Sequence, residues 1–195
     1  MQKTFSFIIL FMAICFSSFS QLKFGFKAGL NVSTISNVSY SSGYNRAAYF
    51  NVGITTRKDF SKRFYFSPQL LFSEKGFSER LMPSGTIHLH LNYISLPLYC
   101  GFKLTKGISF KAGPEISYLV SAKGKTSGSS NDITDFYNRI DVSISSGLNI
   151  KLGKQFFTEV MFDYGMTNVI HSFGASFPAT GRNNVIQFNV GYYLK

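Results

Sequence analysis

Residues 22–32 sort into two faces with a period of two: Leu22, Phe24, Phe26, Ala28, Leu30 and Val32 on one, Lys23, Gly25, Lys27, Gly29 and Asn31 on the other. Successive side chains alternate sides only in an extended strand, so this stretch has a coherent apolar face as a strand and none as a helix. Residues 140–152 repeat the pattern. Ile140, Val142, Ile144, Leu148, Ile150 and Leu152 share a face broken only by Ser146, opposite Asp141, Ser143, Ser145, Gly147, Asn149 and Lys151. Near the C-terminus Ile186, Phe188, Val190, Tyr192 and Leu194 oppose Val185, Gln187, Asn189, Gly191 and Tyr193.

The same rule predicts eight strands, near residues 22–32, 46–57, 64–76, 90–104, 107–122, 138–152, 155–168 and 184–194. Their connections alternate strictly. Residues 59–62, 105–107 and 153–154 are tight turns, whereas 33–45, 77–89, 123–137 and 169–183 are longer and polar. In an up-and-down barrel this puts short turns at one rim and long loops at the other, as in bacterial outer-membrane barrels. The long loops, rich in Ser, Gly and Asn as in residues 121–132, lack the apolar residues to order themselves and are expected to be mobile. Composition agrees with strands: 22 Phe, 11 Tyr and 17 Gly in 195 residues.

Which face points inward follows from the polar side. It carries Lys23, Lys27, Gln69, Lys111, Glu115, Asp141, Glu159 and Asp163, interspersed with Gly25, Gly29, Gly53, Gly113, Gly147, Gly165 and Gly191. Glycines weaken a solvated strand face but make room in a narrow bore, and eight strands leave an interior that side chains just fill. The apolar face is a continuous Phe, Ile, Leu and Val band that would aggregate in water and suits lipid. The expected fold is therefore all-β: an eight-stranded antiparallel up-and-down transmembrane β-barrel with its apolar face outward and a polar, filled lumen. The rival is a soluble periplasmic ligand-binding barrel with the faces reversed. Two residues sit awkwardly. Pro97 removes a ladder hydrogen bond and predicts a bulge or break near residues 96–98, and Leu71 falls on the polar side, as a register slip or an apolar lumen patch.

Residues 1–20 read as a cleaved export signal: Lys3 gives a positive start, residues 5–16 are nearly all apolar, and Ser18-Phe19-Ser20 is a small-x-small site. The barrel domain is then residues 21–195. Removing Lys3 lowers the formal net charge from +11 to +10. The basic residues are scattered along an exported chain, which points to anionic lipid headgroups and not to nucleic acid. Cys100, alone once Cys15 leaves with the signal, supports neither a disulfide nor a zinc site.

Buried charges persist when paired, so the lumen residues Lys23, Lys27, Gln69, Lys111, Glu115, Asp141, Glu159 and Asp163 are expected to form a polar network that plugs the bore. A catalytic or metal reading would draw on His88, His90 and His171 with Glu115, Glu159 or Asp163. The histidines fit solvated loop positions better, so no catalytic residue, metal or cofactor is assigned. Tyr40, Tyr44 and Arg46 on the first long loop are the candidate contact residues for a partner.

The motifs Lys27-Ala28-Gly29-Leu30-Asn31-Val32-Ser33, Pro68-Gln69-Leu70-Leu71-Phe72-Ser73-Glu74-Lys75-Gly76, Asn92-Tyr93-Ile94-Ser95-Leu96-Pro97-Leu98, Ala112-Gly113-Pro114-Glu115-Ile116-Ser117 and Asp163-Tyr164-Gly165-Met166-Thr167-Asn168 follow one another in order. In this the chain resembles the PorT-type outer-membrane β-barrel family of the Bacteroidota. It departs from that family at Gln69, where the family often has Glu, and in ending on Leu194-Lys195 instead of an aromatic residue. The resemblance implies an eight-stranded outer-membrane barrel, and a role as accessory component of a protein secretion system as one reading. The residues themselves favour a structural or loop-mediated binding role with no open pore. Outer-membrane lipid and lipopolysaccharide are the expected surroundings, and a secretion-system or surface protein the candidate partner.

Overall fold

The computed structural model describes residues 22–36, 44–81, 85–126, 129–170 and 180–194. The signal segment, Tyr40 and His171 lie outside them. Eight long strands make the wall: β1 (Leu22–Ser36), β2 (Ala47–Asp59), β3 (Phe64–Leu81), β4 (Gly85–Lys103), β5 (Ile108–Thr126), β6 (Ile140–Leu152), β7 (Phe156–Gly165) and β8 (Arg182–Tyr193). Each pairs antiparallel with its sequence neighbours, and β1 pairs with β8, so the sheet closes on itself. Two short strands, Tyr44–Asn45 beside β3 and Ser129–Asp132 beside β5, widen it at the long-loop end.

Side-chain chemistry makes the short turns tight. Ser61 Oγ accepts the Phe64 N–H at 2.9 Å, Thr105 Oγ1 accepts the Ile108 N–H at 3.0 Å, and Gly153 supplies the positive φ of 84° that closes the third turn. At the other end β3, β4 and β5 outrun their predicted limits and stand beyond the barrel as a hydrogen-bonded sheet. Their projecting parts, such as residues 121–126, are polar, so no apolar alternation marks them in the sequence.

Phe26, Leu30, Phe50, Ile144, Leu148, Val160, Phe188 and Val190 face outward, 41–63 % exposed, while Lys27, Lys111, Glu115 and Glu159 are at most 2 % exposed. This is the inverse of a water-soluble fold and excludes the ligand-binding barrel with an apolar interior. Two glycines show why the inner face is sparing. A methyl group at Gly101 would fall inside the Tyr65 ring and one at Gly191 inside the Phe157 ring, so each glycine gives its floor to an aromatic side chain.

Two open expectations resolve and one needs correction. The register is kept through Pro97, but the pairing lapses beside it, on the β3 side between Leu71↔Ser95 and Pro68↔Leu98 and on the β5 side between Pro97↔Glu115 and Cys100↔Ala112. Pairing runs on the same register from Pro97↔Glu115 to Cys100↔Ala112, and the shift lies between Asn92 and Tyr93, where the facing strand carries one extra residue between Leu119 and Ser121. Pro97, which has no N–H to donate, stands within the gap on the β3 side, so the local break expected near residues 96–98 is there, without a slip of register. Leu71 is not a slip: it points into the bore at 1 % exposure, where Gly53 makes room for it. The long loops are not without structure either. Val169 is fully buried, Asn138 N donates to Val169 O at 2.9 Å, and Ile133 N donates to Ala122 O at 3.0 Å.

Candidate functional site

The inward residues of the eight strands converge on the bore, which is layered along its axis. In the lower layer, toward the short turns, Glu159 on β7 accepts from Lys27 of β1 at 3.3 Å, from Lys111 of β5, and from Asn149 of β6 at 3.0 Å. Lys111 also faces the Tyr99 ring, its Nζ 4.6 Å from the centroid. In the middle layer Lys75 of β3 reaches Glu115 at 2.9 Å and Asp141 at 3.8 Å. Ser117 donates to Glu115 at 3.1 Å, and Asn183 and Thr167 donate to Asp141 at 2.8 and 3.0 Å. Asp163 accepts from Gln187 and makes no ion pair among the described residues. Asn31 bridges Ser73 and the Glu74 carbonyl while accepting from Asn51.

Lys27, Lys111, Glu115, Asp141, Glu159 and Asp163 are thus all buried in the bore. Lys23 is not. It holds the last inward position of β1, opposite Arg57 at the short-turn rim, where water reaches it. Gln69 is buried, yet its side-chain amide has no hydrogen-bond partner among the described residues. Lys75, which joins two of the acids, escaped the sequence reading. It shares the inward parity of Gln69 and Leu71, but β3 was expected to end one residue later, where a charged residue reads as loop.

Above the ionic layers the bore turns apolar. Ile35, Phe77, Leu89, Leu91, Tyr93, Leu119, Ala122 and Val169 form one buried cluster, with Ile133, Tyr137 and Ile170 packed against it from the loops. Tyr93 joins the two zones, its ring 5.2 Å from Lys75 Nζ and its hydroxyl accepting from Asn183 at 3.3 Å. The ionic layers are therefore capped toward the long-loop end by an apolar cluster.

Neither His88 nor His90 assembles with the lumen acids. His90 Nδ1 lies 2.6 Å from Glu74 Oε1, while His88 is exposed on the projecting sheet. Among the described residues no group of three His, Cys, Asp or Glu side chains could hold a metal. Of the loop candidates, Arg46 is exposed, and Tyr44 lies in the short strand paired with Glu79. His88 pairs across the strands with Lys125, and His90 with Lys123, placing exposed Lys123 and Lys125 on the same projecting sheet. At the opposite rim Lys103 and Lys151 hold the last inward positions of β4 and β6, and Arg57 the last but one of β2, beside Asp59, which takes both Arg57 and Lys103.

A family model described as outer membrane protein beta-barrel domain matches residues 16–171. Among solved structures, Neisserial surface protein A aligns with a TM-score of 0.56 at 13 % identity, over 87 % of this chain and 96 % of its own. The attachment invasion locus protein Ail of Yersinia pestis aligns with a TM-score of 0.52 at 15 % identity, over 89 % of this chain and 99 % of its own. Ail in complex with the heparin analogue sucrose octasulfate aligns at the same TM-score with 13 % identity, over 89 % and 99 % of the two chains. At such identities the likeness is one of fold. No curated protein matches the chain.

Proposed function

Since the chain belongs to the family of outer membrane protein β-barrel domains, we propose that it is a non-conducting outer-membrane barrel whose long-loop end is a binding platform. The observation that carries this reading is the bore itself: two ionic layers of buried side chains, with an apolar cluster above them, occupy it. Such a barrel supplies rigidity. The sheet projecting from β3, β4 and β5 then holds its outward residues in fixed positions, as a platform for recognition requires. Its exposed cations, Lys123 and Lys125, with His88 beside them, fit an anionic partner such as the phosphate groups of lipopolysaccharide. Ail, crystallised with a polysulfated ligand, shows that a barrel of this fold can take one. Residues 1–20 act as the cleaved export signal, and no catalytic step is assigned to His88, His90 or Glu115.

Refolded protein in planar bilayers is expected to give no stable large conductance. A persistent open level would end the plugged-bore reading. The ordered motifs resembling PorT-type barrels of the Bacteroidota support a second reading, an accessory of a secretion machine reached through the same platform. A large secretion complex recovered reproducibly with the protein from native membranes, and lost on Lys123→Glu with Lys125→Glu, selects it. Unchanged recovery with that variant rejects the platform as its docking surface.

A further inference from the structure

Short turns of outer-membrane barrels face the periplasm, and at that mouth the bore opens into a cavity of about 330 Å³ lined by Arg57, Lys62, Lys103, Lys106, Lys151 and Ser109 among others. Strand parity builds it. Lys103 and Lys151 are the final inward residues of β4 and β6, Arg57 is the last but one of β2, before Asp59, and Lys62 and Lys106 come from the adjoining turns, so five cations from three strand ends and two turns converge on one space. A single carboxylate answers them: Asp59 takes Arg57 at 3.1 Å and Lys103 at 2.7 Å. Arg57 is only 3 % exposed, its guanidinium lies 3.6 Å from the Tyr65 ring centroid, and its Nη1 has no partner among the described residues. Gathering like charges is unfavourable without a counter-charge, and a buried N–H without an acceptor is costly.

We propose that this mouth is an oxyanion site that takes a phosphate-type group from the periplasmic side. A tetrahedral oxyanion offers several acceptor oxygens and more than one charge. It can meet the guanidinium N–H, the Ser109 hydroxyl and two or more lysines together, which a single carboxylate such as Asp59 does not do. The group is either a headgroup phosphate of the proximal leaflet or a soluble phosphate compound. The site lies at the opposite end of the barrel from the loop platform and does not depend on it.

The test uses the refolded full-length barrel in zwitterionic phosphatidylcholine nanodiscs. Inorganic pyrophosphate is titrated at fixed ionic strength while backbone amide spectra are followed. Saturable shifts are expected at the ends of β2, β4, β5 and β6, and Lys103→Gln with Lys151→Gln should weaken the response by about tenfold or more while the heat-dependent gel shift of the folded barrel is kept. Lys58→Gln, on the outward side of the same strand end, should leave it unchanged. Repeating the titration in discs containing phosphatidylglycerol separates the sources: loss of the pyrophosphate response assigns the site to lipid headgroups, and its retention to a soluble phosphate. Shifts that never saturate, that chloride reproduces, or that Lys58→Gln abolishes as fully as the double variant would overturn the proposal.

Discussion

Glu159 holds two lysines at once, and both are buried with it. A buried ion pair gains little over an apolar filling, but removing one partner leaves charge without compensation. Glu159→Gln keeps the volume and strands Lys27 and Lys111 together. We expect it to cost about 3–5 kcal/mol in urea unfolding of the barrel in lipid vesicles. Replacing all three by Met should recover much of that loss, because the desolvated charges go as a set. A Glu159→Gln protein as stable as the parent would mean that the lower layer is hydrated and the pairing weak. At this scale the chain was legible in one respect only. Alternation assigns Lys27, Lys111, Glu115, Asp141, Glu159 and Asp163 to one face, but which lysine meets which acid depends on strands brought together by closure and stagger, information that no local window holds. Lys75 to Glu115 spans 40 residues and Lys27 to Glu159 spans 132.

Among the elements, β5 and its partner strand Ser129–Asp132 show how a polar segment can still be ordered. Thr134 fastens the far end: its amide and hydroxyl both donate to Asp132 Oδ1, at 2.9 and 2.6 Å, and its oxygen accepts the Ala122 N–H at 2.9 Å. Those two donors hold the Asp132 carboxyl below the ordinary range of an aspartate. A depressed carboxyl stabilises the fold fully above its unfolded value, near 4, and the contribution is lost as pH falls through the lower folded value. Protection of the Ala122 and Thr134 amides, relative to the intrinsic exchange rate at each pH, should therefore fall as pH drops below about 4, and Asp132→Asn, which keeps an acceptor but cannot titrate, should flatten that profile. An unchanged profile in Asp132→Asn would show that the clasp is not what orders this strand. Residues 123–126 and 129–132 read as loop because their hydrogen bonds, not an apolar face, make them strand. The short turns were easier, since Gly153 and the Ser61 and Thr105 caps act within a few residues of their own positions.

The molecule as a whole is stable only if its outer band meets hydrocarbon, because that band carries the apolar side chains a soluble protein would place inside. Val160 sits midway along β7, paired with Leu148 and Phe188, and is 42 % exposed with no polar neighbour in either pair. Leu194 lies at the short-turn rim with its N–H bonded to Phe24 O at 2.7 Å. In a bilayer the penalty for a cation on the outer face depends on depth, about 2–4 kcal/mol at the midplane and about 0–1 near an interface. Val160→Arg should accordingly cost several times as much as Leu194→Arg when folding is measured in lipid vesicles of matched thickness. In a barrel standing in water the two would cost equally little, so the ratio between them, and not either value alone, reports where the hydrocarbon begins. Closure was readable from the chain because long and short connections alternate without exception and every strand has one greasy side. The lid over the ionic layers was not, since it is assembled from Ile35, Leu91, Leu119 and Val169, residues of four separate segments whose meeting is a property of the finished barrel.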